Sequence, residues 1–106
     1  MKQTNLALEE MESNAREAAK FLKMLSNPTR LWVLCQMVQE PRCVSELEAN
    51  LSISQSALSQ HLAKLREQKL VKTEKQGQNM YYSIADPKVL RVLELLYTLY
   101  CNPDAQ

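Results

Sequence analysis

The chain has 106 residues, 45% hydrophobic and 24% charged, a globular composition that argues against intrinsic disorder. No apolar run approaches the ~20 residues of a membrane-spanning helix, and the opening "MKQTNLALEE" lacks the basic-then-apolar order of a secretory signal, so the expected location is the cytoplasm. Net charge is only +1, which by itself points to no polyanionic partner; the length fits one domain over 1–106, with flexible ends at 1–8 and 102–106 and a core that a partner subunit would help complete.

Residues 6 to 25 place Met11, Ala15, Ala18, Leu22 and Leu25 three and four apart, the period of an amphipathic helix ending near "SNP". Asn27 can cap the next helix and Pro28 suits its first position, where no donor is needed, so a second helix is predicted from Pro28 to about Gln39. "EPR" breaks it. Ser45 with Glu48 forms a capping box for a short third helix ending near Asn50. After the turn "LSIS", Ser54 is the expected cap of a fourth helix to about Gln68, with the Ser52 and Gln55 pair competing for that role. Two β-prone runs, about 70 to 75 and 80 to 84, flank "QGQN", whose Gly77 permits the reversal of a hairpin. Asp86 and Pro87 repeat the cap-then-proline grammar and open a last helix bearing Val89, Leu93, Leu96, Tyr97 and Tyr100. The predicted fold class is mainly α with a β-hairpin, in the order of a winged helix-turn-helix.

The fourth helix, in "SISQSALSQHLAKLREQ", carries the densest uncharged hydrogen-bonding capacity in the chain. At 100° per residue Leu58, Leu62 and Leu65 share one stripe, while Ser56, Ser59, Gln60 and Ala63 lie on the other side. Amides and hydroxyls can pair with base edges, a helix amino terminus favours phosphate, and Ala permits close approach, so this face suits the major groove of DNA. On composition alone it equally serves to solvate a surface helix. The neighbours favour DNA: a short capped helix precedes it, and the hairpin after it offers Lys72, Lys75, Gln78 and Asn79 where a wing would meet backbone or minor groove. Between residues 54 and 82, Lys64, Arg66, Lys69, Lys72 and Lys75 face only Glu67 and Glu74.

His61, the one histidine, has no second His or adjacent Cys and reads as a hydrogen-bonding residue at the core boundary or a DNA contact rather than a catalyst. Three scattered cysteines, Cys35, Cys43 and Cys101, are too few for a disulfide framework and leave core, metal-ligand and redox roles open. Cys35, inside "LWVLCQM", reads by itself as a small core hydrophobe. Cys43 precedes a helix beside Arg42, where a thiol could be activated, although a structural role is its default. Trp32, the tyrosines and the five methionines are expected to fill the core and a dimer interface, with one of Tyr81 and Tyr82 packed inward and the other facing the wing or DNA. No nucleophile–base pairing, phosphate loop or metal cluster is visible, so an enzyme is not expected.

"LSNPTRLWVL", "SELEANLSISQSALSQHLAKLREQKLV" and "GQNMYYSI" together resemble the ArsR/SmtB family of dimeric winged-helix repressors over roughly residues 15 to 101. The resemblance implies a homodimer joined through its first and last helices, a pseudo-palindromic double-stranded operator, and release when an inducer is sensed. It also implies that Gln55, Ser56, Ser59 and Gln60 read DNA, with Ser54, His61, Lys64, Lys75, Gln78 and Asn79 completing the expected contact set. The family's two familiar metal sites look broken: "RCVSEL" offers Cys43 and then Ser45 where a second Cys would stand, and the last helix has no His. Neither metal nor cofactor is therefore expected. Cys35 with Cys101, after "LYTLY", resembles the sensing pair of the family's thiol-based, persulfide- or oxidant-responsive branch, which implies a regulator that leaves its operator when the two are crosslinked by reactive sulfur species or oxidants. Two alternatives stay open, a metalloid-responsive repressor using the same thiols and a derepressor or interaction module that displaces a silencing protein.

Overall fold

The computed structural model describes residues 7–101. Eight elements follow in chain order: α1 (Leu8–Leu25), α2 (Pro28–Gln36), β1 (Arg42–Cys43), α3 (Val44–Glu48), α4 (Gln55–Glu67), β2 (Val71–Gln76), β3 (Asn79–Ile84) and α5 (Pro87–Tyr100). Mostly helical with a small antiparallel sheet, this is the winged helix-turn-helix order read from the sequence. Of the flexible ends expected at 1–8 and 102–106, all but residues 7 and 8 lie outside the described residues, and Leu8 is already helical.

The expected caps act at three helix starts. Asn27 accepts from the Arg30 amide at 3.0 Å, Ser54 from Ala57 at 3.1 Å and Asp86 from Lys88 at 2.9 Å, each satisfying a donor that the first helical turn leaves free. The third helix differs: its cap is Cys43, whose own amide donates to Glu46 at 3.0 Å, so the Ser45 and Glu48 box does not form. The cause is non-local. Arg42 and Cys43 pair with Tyr82 and Tyr81 as an edge strand absent from the sequence reading, and that pairing holds Cys43 extended until the helix begins at the next residue. Likewise α2 ends at Gln36 rather than Gln39, because the chain turns at Met37, which is buried, while the Arg42 side chain takes the Gln36 carbonyl at 2.9 Å.

The sheet runs β1-β3-β2, all antiparallel. Between Gln76 and Asn79 only Gly77 and Gln78 remain, and Gly77 takes φ +65, so the reversal is a two-residue turn with Gly at its first central position. At the other end of the hairpin, α4 closes in a Schellman arrangement: Lys69 at φ 64 donates to Arg66 at 2.9 Å, and Leu70 donates to Leu65 at 2.9 Å.

Leu34, Leu47, Leu58, Leu62, Leu65 and Val89 form the fully buried centre, drawing α2, α3, α4 and α5 onto one cluster with Leu70 and Val71 at the root of the wing. Here Leu58, Leu62 and Leu65 bury the stripe that the sequence assigned to them. Of the aromatics expected in the core or a dimer interface, Trp32 is not core but half exposed, with its indole N–H donating to the Asn50 carbonyl at 3.1 Å, and Tyr97 and Tyr100 lie open in the protomer. Among the methionines Met37 is core and Met24 packs on it, whereas Met11 and Met80 are exposed. α1 buries only Leu25 and is tied to α2 by Arg30, which donates to the carbonyls of Met24 at 2.9 Å and Lys23 at 3.3 Å. Among the described residues no helix is long and apolar enough to cross a membrane.

Candidate nucleic-acid interface and thiol pair

With its leucines anchored, α4 turns Gln55, Ser56, Ser59, Gln60, Ala63 and Lys64 outward, all exposed. Ser54 is exposed too, but its hydroxyl is engaged as the cap and lies 3.2 Å from the Ser56 hydroxyl, so these two share one small hydroxyl cluster at the amino end. Free backbone amides, two hydroxyls and two amide side chains thus lie within the first two turns, the arrangement that can meet a phosphate at its tip and base edges along its face. The hairpin carries Lys72, Lys75, Gln78 and Asn79 into solvent. Asn79 belongs to β3 and pairs with Gln76, so only Gln78 of the two amides stands in the turn itself.

His61 is partly buried at the edge of this face, and burial, then Arg30, then Lys64 hold its imidazole below the ordinary histidine range. Protonation therefore costs more in the folded chain than in the unfolded one. The sign follows: stability that is intact above the unfolded value is lost as pH falls through it toward the depressed folded value. The melting temperature is expected to drop from pH 7.5 to 5.5 by a larger step in the native protein than in His61→Gln, a comparison that thermal unfolding by circular dichroism makes directly. Arg30 was not singled out from the sequence. Its signal was its position two residues after a helix-opening proline, within reach of the preceding helix's carbonyls.

The two tyrosines of β3 divide by face. Tyr82 packs on the core beside α4. Tyr81 lies opposite Cys43 in the ladder, and the Cys43 thiolate, partial burial, Glu46 and a hydrogen bond to Cys43 raise its hydroxyl above the usual tyrosine range. Cys43 itself is buried, with Sγ 3.3 Å from the Ser45 hydroxyl, which fits the structural reading of this thiol.

Cys35 corrects another expectation. Val33 and Leu34 fill the core while Trp32 and Cys35, three residues apart, face outward, so Cys35 is exposed rather than packed. Cys101 ends α5 and is also a free, exposed thiol. The fold brings the two within electrostatic reach: shielding by its surroundings and then the Cys101 thiolate push the Cys35 thiol above its ordinary range. Beside Cys35 opens a cleft of about 1000 Å³ between α2, α3 and α5, with Trp32, Leu93 and Tyr97 among its walls. Sequence reasoning missed this cleft, since its walls come from three separate elements. Among the described residues no three of His, Cys, Asp and Glu come together as metal ligands.

The description "Bacterial regulatory protein, arsR family" matches residues 27–73. The transcriptional activator HlyU of Vibrio cholerae is 43% identical over 102 residues, covering 96% of this chain and 94% of that protein. A structure of reduced HlyU from the same organism superposes with a TM-score of 0.82 at 44% identity, covering 88% of this chain and 98% of that one. The transcriptional repressor BigR of Xylella fastidiosa superposes with a TM-score of 0.83 at 38% identity, over 91% of this chain and 98% of its own.

Proposed function

The chain belongs to the ArsR family of bacterial regulatory proteins, transcriptional regulators rather than enzymes, and from that membership we propose a homodimeric repressor that releases its operator when Cys35 and Cys101 become linked. The observation that carries the reading is that two free, exposed thiols, one on α2 and one at the end of α5, lie near enough for Cys101 to raise the Cys35 thiol, in a chain whose α4 turns an amide- and hydroxyl-rich face to solvent. The similar HlyU of Vibrio cholerae has a structure in its reduced form, which supports a redox-dependent role for the cysteines of this chain.

The dimer would form through α1 and α5, which leave Leu8, Met11, Leu22, Leu95, Leu99 and Tyr100 exposed in the protomer. Twofold symmetry would then set two α4 helices against successive major grooves of a pseudo-palindromic site. In the sensing step the Cys35 thiolate attacks the terminal sulfur of a persulfide, R–S–S–H. The donor's S–S bond breaks, R–S⁻ leaves and takes up a proton, and Cys35 becomes a persulfide. Attack by the Cys101 thiolate on the Cys35 Sγ then closes a disulfide and expels HS⁻; if Cys101 has first gained a sulfur from a second donor, the bridge is a trisulfide. Either bridge fastens the end of α5 to α2, changing the dimer geometry on which α4 spacing depends.

The DNA half of the proposal has its own test. Gln60→Ala is expected to weaken operator binding by about 1–3 kcal/mol and to relax base preference at one position per half-site. Lys64→Ala and Lys75→Ala are expected to weaken all sequences alike and to reduce the steepness of the salt dependence by about one ion each. Titrations of operator and scrambled duplex between 50 and 300 mM salt separate the two patterns. Binding with neither site preference nor salt dependence would favour the interaction-module alternative, and mass spectrometry showing retained arsenic after arsenite exposure would favour the metalloid one.

A further inference from the structure

The cleft beside Cys35 is not electrically neutral. Arg42 is the one cation of its lining, and that charge is already met by Glu40 at 3.3 Å while its Nε serves the Gln36 carbonyl. Against it stand Glu46 and Glu94. One oxygen of Glu46 accepts the Cys43 amide, but among the described residues neither carboxylate forms an ion pair, and both side chains are exposed. Glu94 lies on the same face of α5 as Tyr97, Thr98 and Cys101, spaced three, four and seven residues on, so the helix that delivers the second thiol also brings a negative charge into the cleft. Aromatic surface from Trp32 and Tyr97 completes the wall, with both rings partly open to solvent. Aromatic faces beside unpaired carboxylates make a recognition surface for an organic cation.

We propose that this cleft holds the organic substituent of the incoming sulfur compound and that Glu94, with Glu46, selects substituents bearing an ammonium group over those bearing a carboxylate or sulfonate. The proposal rests on Cys35 being the reacting thiol. Its volume, about 1000 Å³, accommodates a substituent of several heavy atoms, far more than sulfide or peroxide would need. Trp32 and Tyr97 contact the cation's methylene or methyl groups, and the carboxylates supply the sign of the preference. Through a water-like medium a pair of carboxylates a few Å from a charged substituent changes its local concentration several-fold in each direction, giving a cation-to-anion rate ratio of about ten at low salt.

The test uses two reagents that deliver a thiol adduct with opposite charge, 2-(trimethylammonium)ethyl methanethiosulfonate and 2-sulfonatoethyl methanethiosulfonate. Each rate at Cys35 in the full-length reduced protein is read by peptide-resolved mass spectrometry and divided by the rate with free 2-mercaptoethanol, which removes intrinsic reactivity. The normalised cation-to-anion ratio is expected to be about ten in 20 mM salt, to shrink below three in 1 M salt, and to fall at least threefold in Glu94→Gln while remaining unchanged in the distant Glu74→Gln. A ratio near one in the native protein, or one that Glu94→Gln leaves intact, overturns the charge selection while leaving the thiol reading untouched. Absence of any adduct at Cys35 with either reagent overturns both, so the two failures are distinguishable. A parallel comparison of cysteamine persulfide with 3-mercaptopropionate persulfide should reproduce the order in operator release.

Discussion

Cys35→Ser and Cys101→Ser are each expected to remain bound to operator DNA after persulfide treatment, whereas the native protein loses about 5- to 150-fold in affinity, the range of ~1–3 kcal/mol typical of coupled sites. Electrophoretic or anisotropy titrations before and after treatment measure the difference. Both substitutions are conservative in size at exposed positions, so unmodified binding should be unaffected. The two variants should nevertheless differ in mass. Cys101→Ser retains Cys35 and should accumulate an added sulfur there without closing a bridge, while Cys35→Ser should carry sulfur at Cys101 only. The pH dependence is equally specific. Because its surroundings and Cys101 raise the Cys35 thiol, the reactive thiolate is a small fraction near neutrality, and the rate at Cys35 should climb about tenfold per pH unit until its raised value is passed. Operator release by Cys35→Ser after persulfide treatment would remove the sensing mechanism.

Leu58→Ala is expected to cost about 2–5 kcal/mol, because the side chain is fully buried where α4 meets the core and neighbours cannot collapse fully into the space it leaves. For a small domain whose total stability is on the order of 5–15 kcal/mol, that is a large share. Chemical denaturation should show the midpoint shift, and operator affinity should fall with the folded fraction. Ser59→Ala, one residue on but exposed, is expected to leave the unfolding free energy within about 0.5 kcal/mol of the native value. A similar loss at both positions would mean that α4 does not pack through its leucine stripe.

The features legible in the sequence are those encoded within one or two turns of chain. Ser54, Asn27 and Asp86 cap helices because a short polar side chain satisfies amides three residues away or nearer, and the leucines of α4 repeat with the helix period. The wing turn was visible because Gly77 supplies a positive φ at little cost. β1 was not legible, since two residues carry no period and are extended only by virtue of β3 beside them. That same pairing displaced the α3 cap from Ser45 to Cys43 and turned Tyr81 toward α3. Cys35 misled in the other direction: five apolar neighbours in "LWVLCQM" suggest burial, yet the helix turn divides them, sending Val33, Leu34 and Met37 inward and Trp32 and Cys35 out. The α4 face proposed to read bases and the two cysteines proposed as sensors were nameable from the chain, but the cleft and its carboxylates depend on how three elements converge.

The sparsely buried first helix has a thermodynamic corollary. Eighteen residues that bury only Leu25 in their own protomer, with Phe21 and Met24 packed partly against its core, are close to the marginal length for a helix in water, and Arg30 steadies only the last turn. Order along the rest must be contributed by whatever covers its apolar edge, so mass action governs it. Dilution should bleach the helical signal of this segment before the leucine centre melts, giving an unfolding curve whose first phase moves with protein concentration and whose second does not.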